Sequence, residues 1–244
     1  MSALPSSPAP VTLADLLARP DVWRGDALAR VKAPGLATGY PELDRELPGG
    51  GWPRQALSEF LAPPEAGVAG LLAPSLAALA GPLLLVAPPW PLHAAGWAAA
   101  GLPGQRLIVV EARGQDAAWA CETALEEGGF AAVLAWLPDI DARGLRRLQL
   151  AAESFSGPAC LVRPPARLRE SSPAPLRLTV ECRPQGLLVQ IVKRRGGGLP
   201  PPLTLVPRLA VARLQERDRA LARPALSPAA PGRPGAPARR PVHA

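Results

Sequence analysis

The chain has 244 residues, 48% of them hydrophobic but only 4% aromatic, with 33 prolines and a formal net charge of +7. That length suits one α/β domain with tails, and aliphatic side chains must carry its core. No apolar run reaches the roughly 18 residues of a membrane span, and MSALPSSPAP lacks a charged region leading into an apolar one, so a soluble cytoplasmic protein with no membrane partner is expected.

Residues 1–22 read as a disordered or short-helix segment, in which Thr12 caps LADLLARP and Pro20 ends it. A linker with VWRG leads to TGYPELDRELPGGGWPRQALSEFL. There Leu43 and Leu47 share a helical face, Pro48 and three glycines break the chain, and Ala56 to Leu61 forms the first strand. Four further apolar runs follow, Leu83 to Ala87, Leu107 to Glu111, Ala131 to Leu137 and Ala159 to Arg163. Helical segments separate them, including QDAAWACETALEEGG with its Gly128 stop and DARGLRRLQLAAESF with Asp141 as cap. Continuous apolar strands alternating with helices imply a mostly parallel sheet covered on both faces. LRLTVEC, a PQG turn and LLVQIVKRR then read as an antiparallel hairpin at the sheet edge, and residues 206–244 as a basic Pro/Ala/Arg-rich flexible tail.

Between the first strand and the next helix lies EFLAPPEAGVAG, which has the outline of a phosphate loop. Such a loop needs a Lys for the β/γ-phosphates and a hydroxyl for Mg²⁺. Here Gly67 is followed by Val68, Ala69 and Gly70, and no Lys occurs between Lys32 and Lys193. A plain Gly/Pro turn before a helix fits the same residues. The Mg²⁺-binding acid would end the strand AAVLAW, where Trp136 stands instead, with Asp139 three residues on.

Cys121, Cys160 and Cys182 lack metal-site spacing and are expected in the core. His93 and His243 have no obvious carboxylate partner, and Glu111 at a strand end has no partner for general-base work. Residues 1–142 hold 8 Lys/Arg and 15 Asp/Glu, a net of −7, whereas residues 143–244 hold 19 and 5, a net of +14. The second part is therefore the expected face for an acidic partner, nucleic acid or protein.

TGYPELDRELPGGGWPRQALSEFL, APPWPLHAAGWAAAGL, VLAWLPDIDARGLRRLQLAAE, SSPAPLRL and VQIVKRRGG, in this order, resemble the ImuA family of the RecA-like superfamily. The similarity runs from Trp23 to Leu205, marking residues 23–205 as a RecA-like core. It implies an accessory role in SOS-induced, mutagenic translesion DNA synthesis. The implied partners are an ImuB-like Y-family polymerase homologue and an error-prone C-family DNA polymerase, with RecA and single-stranded DNA as further candidates, and the implied place is the nucleoid after DNA damage. In this comparison Pro64, Glu65, Ala66, Gly67, Val68, Ala69 and Gly70 form a degenerate phosphate loop, so no cofactor and no catalysis are expected. An atypical ATPase, a SulA-type cell-division inhibitor and a plain DNA-binding module are the alternatives. Candidate contacts to partner or DNA are Arg146 and Arg147, on the outer side of their helix, and Lys193, Arg194 and Arg195, in a basic loop after a strand; each also fits a solvated surface. Trp52 reads either as a core plug or as a partner anchor.

Overall fold

The computed structural model describes residues 34–196 and 198–207; the expected N-terminal helix and nearly all of the basic tail lie outside them. The elements, in order, are α1 (Pro41–Glu46), β1 (Leu57–Leu61), a 3₁₀ turn (Pro64–Ala66), α2 (Val68–Ala77), β2 (Leu83–Val86), α3 (Ala94–Ala99) and β3 (Leu107–Val110). They continue with α4 (Gly114–Glu127), β4 (Ala132–Trp136), α5 (Ala142–Ser154), β5 (Ala159–Arg163), a 3₁₀ turn (Pro165–Arg169), β6 (Leu176–Arg183), β7 (Gly186–Lys193) and β8 (Leu203–Leu205). Eight strands form one sheet in the order β3-β2-β4-β5-β1-β6-β7-β8. The first six are parallel, and β7 runs antiparallel to β6 and β8. This is the expected α/β architecture with an antiparallel C-terminal edge.

Chain direction explains the two layers. From β1 the chain steps through β2 to the edge at β3, then reverses through β4 and β5. Right-handed crossovers put helices of opposite step direction on opposite faces. Phe60, Leu85, Leu134 and Val162 accordingly join one core with α2 residues Leu71 and Leu76. Leu57, Leu84, Val133 and Leu161, of opposite parity, join the other with Cys121 and Leu125 of α4 and Leu145 and Leu148 of α5. The inner strands β1, β2 and β5 are buried along their whole length, whereas the edge strand β3 is half-buried with Ile108 exposed.

The segment TGYPELDREL works as a clasp. The Thr38 N–H donates to Asp44 Oδ1 at 2.8 Å, and the Tyr40 N–H donates to the Thr38 hydroxyl at 3.0 Å. Gly39 has φ +88°, and a Cβ there would lie 2.5 Å from Cβ of Pro74 in α2, so glycine lets α1 sit against α2. Leu43 and Leu47 point inward as expected. Gly51 is as constrained, since an added Cβ would meet the Leu36 carbonyl oxygen at 2.2 Å. Trp52 follows fully buried, edge-on to Phe60 at 5.4 Å between ring centroids, which makes it a core plug and not a surface anchor.

Most strand limits fall within a residue of expectation, and β5 coincides. β2 stops at Val86 because Ala87 turns to φ +51° and leaves the strand. The expectation of three core cysteines needs correction: Cys121 and Cys160 are buried, but Cys182 is exposed, because the last three residues of β6 run past the layer that covers the sheet. The third antiparallel strand, β8, pairs Leu203–Leu205 with Val189–Leu187 and was not expected from the sequence.

Gly39→Ala should lower unfolding stability by about 1–3 kcal/mol, combining a strained φ with the Pro74 contact. Gly70→Ala, where an added Cβ meets nothing within 4 Å, should be neutral or stabilising. Urea titrations of the two variants test the pair, and equal behaviour would refute the clasp.

Candidate partner-binding cleft and degenerate phosphate loop

The carboxyl ends of parallel strands are where α/β sheets bind ligands, so each loop there bears on function. After β1, the Ala62 N–H donates to the Arg163 carbonyl at 2.9 Å. Pro63 and Pro64 have no N–H to offer a phosphate. The Ala66 N–H is already used by the Pro63 carbonyl at 3.0 Å, and the side chains of Ala66 and Val68 are buried in the first core. Gly67 takes φ +76° and opens directly into α2, whose first turn has no side-chain cap. Glu65 stands exposed in the same turn. A carboxylate, two prolines and two inward apolar side chains occupy the stretch where a phosphate cradle needs inward amides and a cation. Ala69 and Gly70 follow on α2 with no hydroxyl and no ammonium group.

No acid ends β4 either. β4 ends at Trp136, partly buried against the first core, and the Asp139 side chain is 86% exposed and pairs with Arg167 at 3.4 Å. His93 caps α3, its Nδ1 accepting from the Gly96 N–H at 3.0 Å. Glu111 is exposed at the end of edge strand β3.

A buried ionic chain that sequence reading missed lies at the same end of the sheet. Glu59 in β1 is fully buried and accepts from Arg163 Nη1 at 2.8 Å and from Arg177 Nε at 2.7 Å, on the two flanking strands. Arg163 also donates to Glu170 at 2.8 Å and to the Ile140 carbonyl at 3.1 Å. Arg167 bonds the other Glu170 oxygen at 2.7 Å. Hydrogen bonds from Arg167 first, then Arg163, hold the Glu170 carboxyl below its ordinary value. The available signal was one Glu and two Arg within otherwise apolar strands, SEFL, CLVR and LRLTV.

The basic residues named from sequence do not form one stripe. Arg146 and Arg147 lie on the outer side of α5, over the second core, and Arg147 is clamped to Glu122 of α4 by Nε contacts of 2.8 and 3.0 Å. That bond holds the Glu122 carboxyl below its ordinary value and raises the Arg147 guanidinium. Lys193 donates to the Ser172 carbonyl at 2.7 Å, and burial, then the Arg177 charge, lowers its pKa. Arg194 reaches the Glu46 carbonyl, its carboxylate at 3.3 Å and the Gly198 carbonyl, so it ties the loop after β7 to α1. Arg146 and Arg195 are exposed and make no hydrogen bond or ion pair among the described residues.

Between these loops runs a cleft of about 1410 Å³ along the ends of β2, β3, β4 and β5. Trp90 and Trp119 line it, 62% and 64% exposed, with Trp136 set deeper. Trp90 is framed by Pro88, Pro89 and Pro91, in the loop that begins at the strained Ala87. A scan against family models finds no match to the chain, and a search of curated proteins finds no similar sequence.

Glu59→Gln should destabilise the fold by about 3–5 kcal/mol by leaving two buried guanidiniums short of charge. Glu181→Gln, at the exposed pair with Arg183, should cost under about 1 kcal/mol. Chemical denaturation checks both. Because the folded Glu170 pKa is depressed, its contribution is present above the ordinary glutamate value of 4.5 and is lost as pH falls through the lower folded value. Glu170→Gln should therefore flatten the acid limb of stability against pH, and an unchanged limb would refute that role.

Proposed function

We propose that this chain is a RecA-like, non-catalytic accessory protein of damage-induced translesion DNA synthesis. It docks an ImuB-like Y-family polymerase homologue and serves with an error-prone C-family polymerase in the bacterial cytoplasm, at the nucleoid after damage. The observation that carries the non-catalytic part is the β1–α2 loop. Its amides are absent, engaged or unaided by a cation, and its one charged residue, Glu65, would repel phosphate. Losing the lysine, the hydroxyl and the strand-end acid together removes charge neutralisation and metal binding, the main terms in phosphoryl transfer. The RecA-like reading is supported by a central β1 followed by a loop and α2, by the reversal of strand order beside it, and by the sequence motifs in their order.

The adaptor part is supported by two exposed tryptophans on one cleft, since large exposed aromatics mark contact surfaces. RecA and single-stranded DNA are further candidate partners through the basic C-terminal portion.

The test is capture of the purified ImuB-like protein, RecA and single-stranded DNA by the full chain and by a form lacking residues 206–244, with and without ATP. Capture of the ImuB-like protein that ignores ATP is the expected result. Binding only with ATP, sensitive to changes at residues 67–70, would replace this reading with an atypical ATPase.

A further inference from the structure

The cleft differs in chemistry from a phosphate or nucleic-acid channel. One wall is the loop after β2, where Pro88, Pro89 and Pro91 remove three backbone donors, and Pro138 and Pro164 do the same at the ends of β4 and β5. Those loops still carry every carbonyl oxygen, so the lining is short of donors. The opposite lip carries Glu111 at the end of β3 and Asp116 on α4, one turn before Trp119 and on the same helix face. Neither carboxylate has an ion-pair partner among the described residues. Arg147 and Arg163 are already committed to Glu122 and Glu59, which leaves Arg113 and Arg143 as the unpaired cations on the lining. Net charge is therefore near balance, and aromatic faces and acceptor groups decide the ligand. Tryptophan faces attract guanidinium, and exposed carboxylates bind it in a fork.

We propose that this cleft docks an extended, arginine-bearing segment of a partner protein, with a guanidinium stacked on Trp119 and paired to Asp116, and with Trp90 closing over the segment. The inference rests on the adaptor reading and names the chemistry of what the adaptor holds. Charge alone does not select against a phosphate backbone, since Arg113 and Arg143 stand on the same lining as Glu111 and Asp116, but the proline-rich loops offer it few amides. An apolar helix would leave those carboxylates without partners. Pro88, Pro89 and Pro91 restrict the backbone around the exposed Trp90, so little backbone freedom is lost when a segment binds beneath it.

The experiment titrates the full chain by calorimetry with a synthetic acetyl-PPRPPRPP-amide peptide, its Lys-for-Arg and Glu-for-Arg forms, and a single-stranded oligothymidine. Saturable binding of the arginine peptide is expected, weaker for the lysine form and absent for the glutamate form. Trp119→Ala should weaken it about tenfold, and Trp90→Ala and Asp116→Asn severalfold. All three side chains are exposed, so loss of folding does not confuse the readout. No saturable binding, indifference to Trp119→Ala, or equal affinity for the glutamate peptide would overturn the proposal. So would oligothymidine binding that Trp119→Ala abolishes, which would make the cleft a base-stacking site. If Trp119→Ala leaves capture of the ImuB-like partner intact, the cleft assignment fails and the adaptor reading stands. If the peptide binds but no ImuB-like protein is captured, the reverse holds.

Discussion

One buried carboxylate organises the carboxyl end of this sheet. Glu59 sits in the middle of β1, without exposure to water, and its two oxygens hold arginines from the strands on either side. Burying a charge is tolerated only when partners surround it. The same arginines then reach outward: Arg163 to Glu170 and the Ile140 carbonyl, Arg177 to the carbonyls of Arg167 and Leu168. The loop after β5, the approach to α5 and the start of the C-terminal hairpin thus all refer to one side chain, and they frame one end of the cleft.

Much of the architecture was legible because parallel strands buried on both faces leave nearly unbroken apolar runs. LLLV, AVLAW and ACLVR showed this, and Gly128 and Asp141 marked helix limits through backbone geometry and a side-chain cap that depend on local residues alone. The strand β8 was hidden because LTL is short and flanked by prolines, and its pairing with β7 is decided by tertiary contact. Cys182 misled because residue type suggests burial, whereas exposure depends on where the covering helices end.

At the candidate site, residue types were legible and the contacts that engage them were not. That no lysine stands between Lys32 and Lys193 is read from a string of letters, and the structure adds where the loop's apolar side chains go, with Ala66 and Val68 turned inward. Which cations are already engaged cannot be read so. Arg147, Lys193 and Arg194 looked available, yet each is held by a group between 21 and 148 residues away in sequence. The Trp90 and Trp119 pair is hidden from sequence for the same reason, since 29 positions separate them and only the sheet order places both on one cleft.

Cys182 carries a practical consequence. Burial pushes the thiols of Cys121 and Cys160 up to about 12, which silences them toward electrophiles, while Cys182 stands open near the hairpin turn. Among the three cysteines, the fold therefore leaves one natural handle for a fluorophore or spin label. It lies on the antiparallel edge, away from the ends of β2 and β3, so distances from it can be read without engineering the chain.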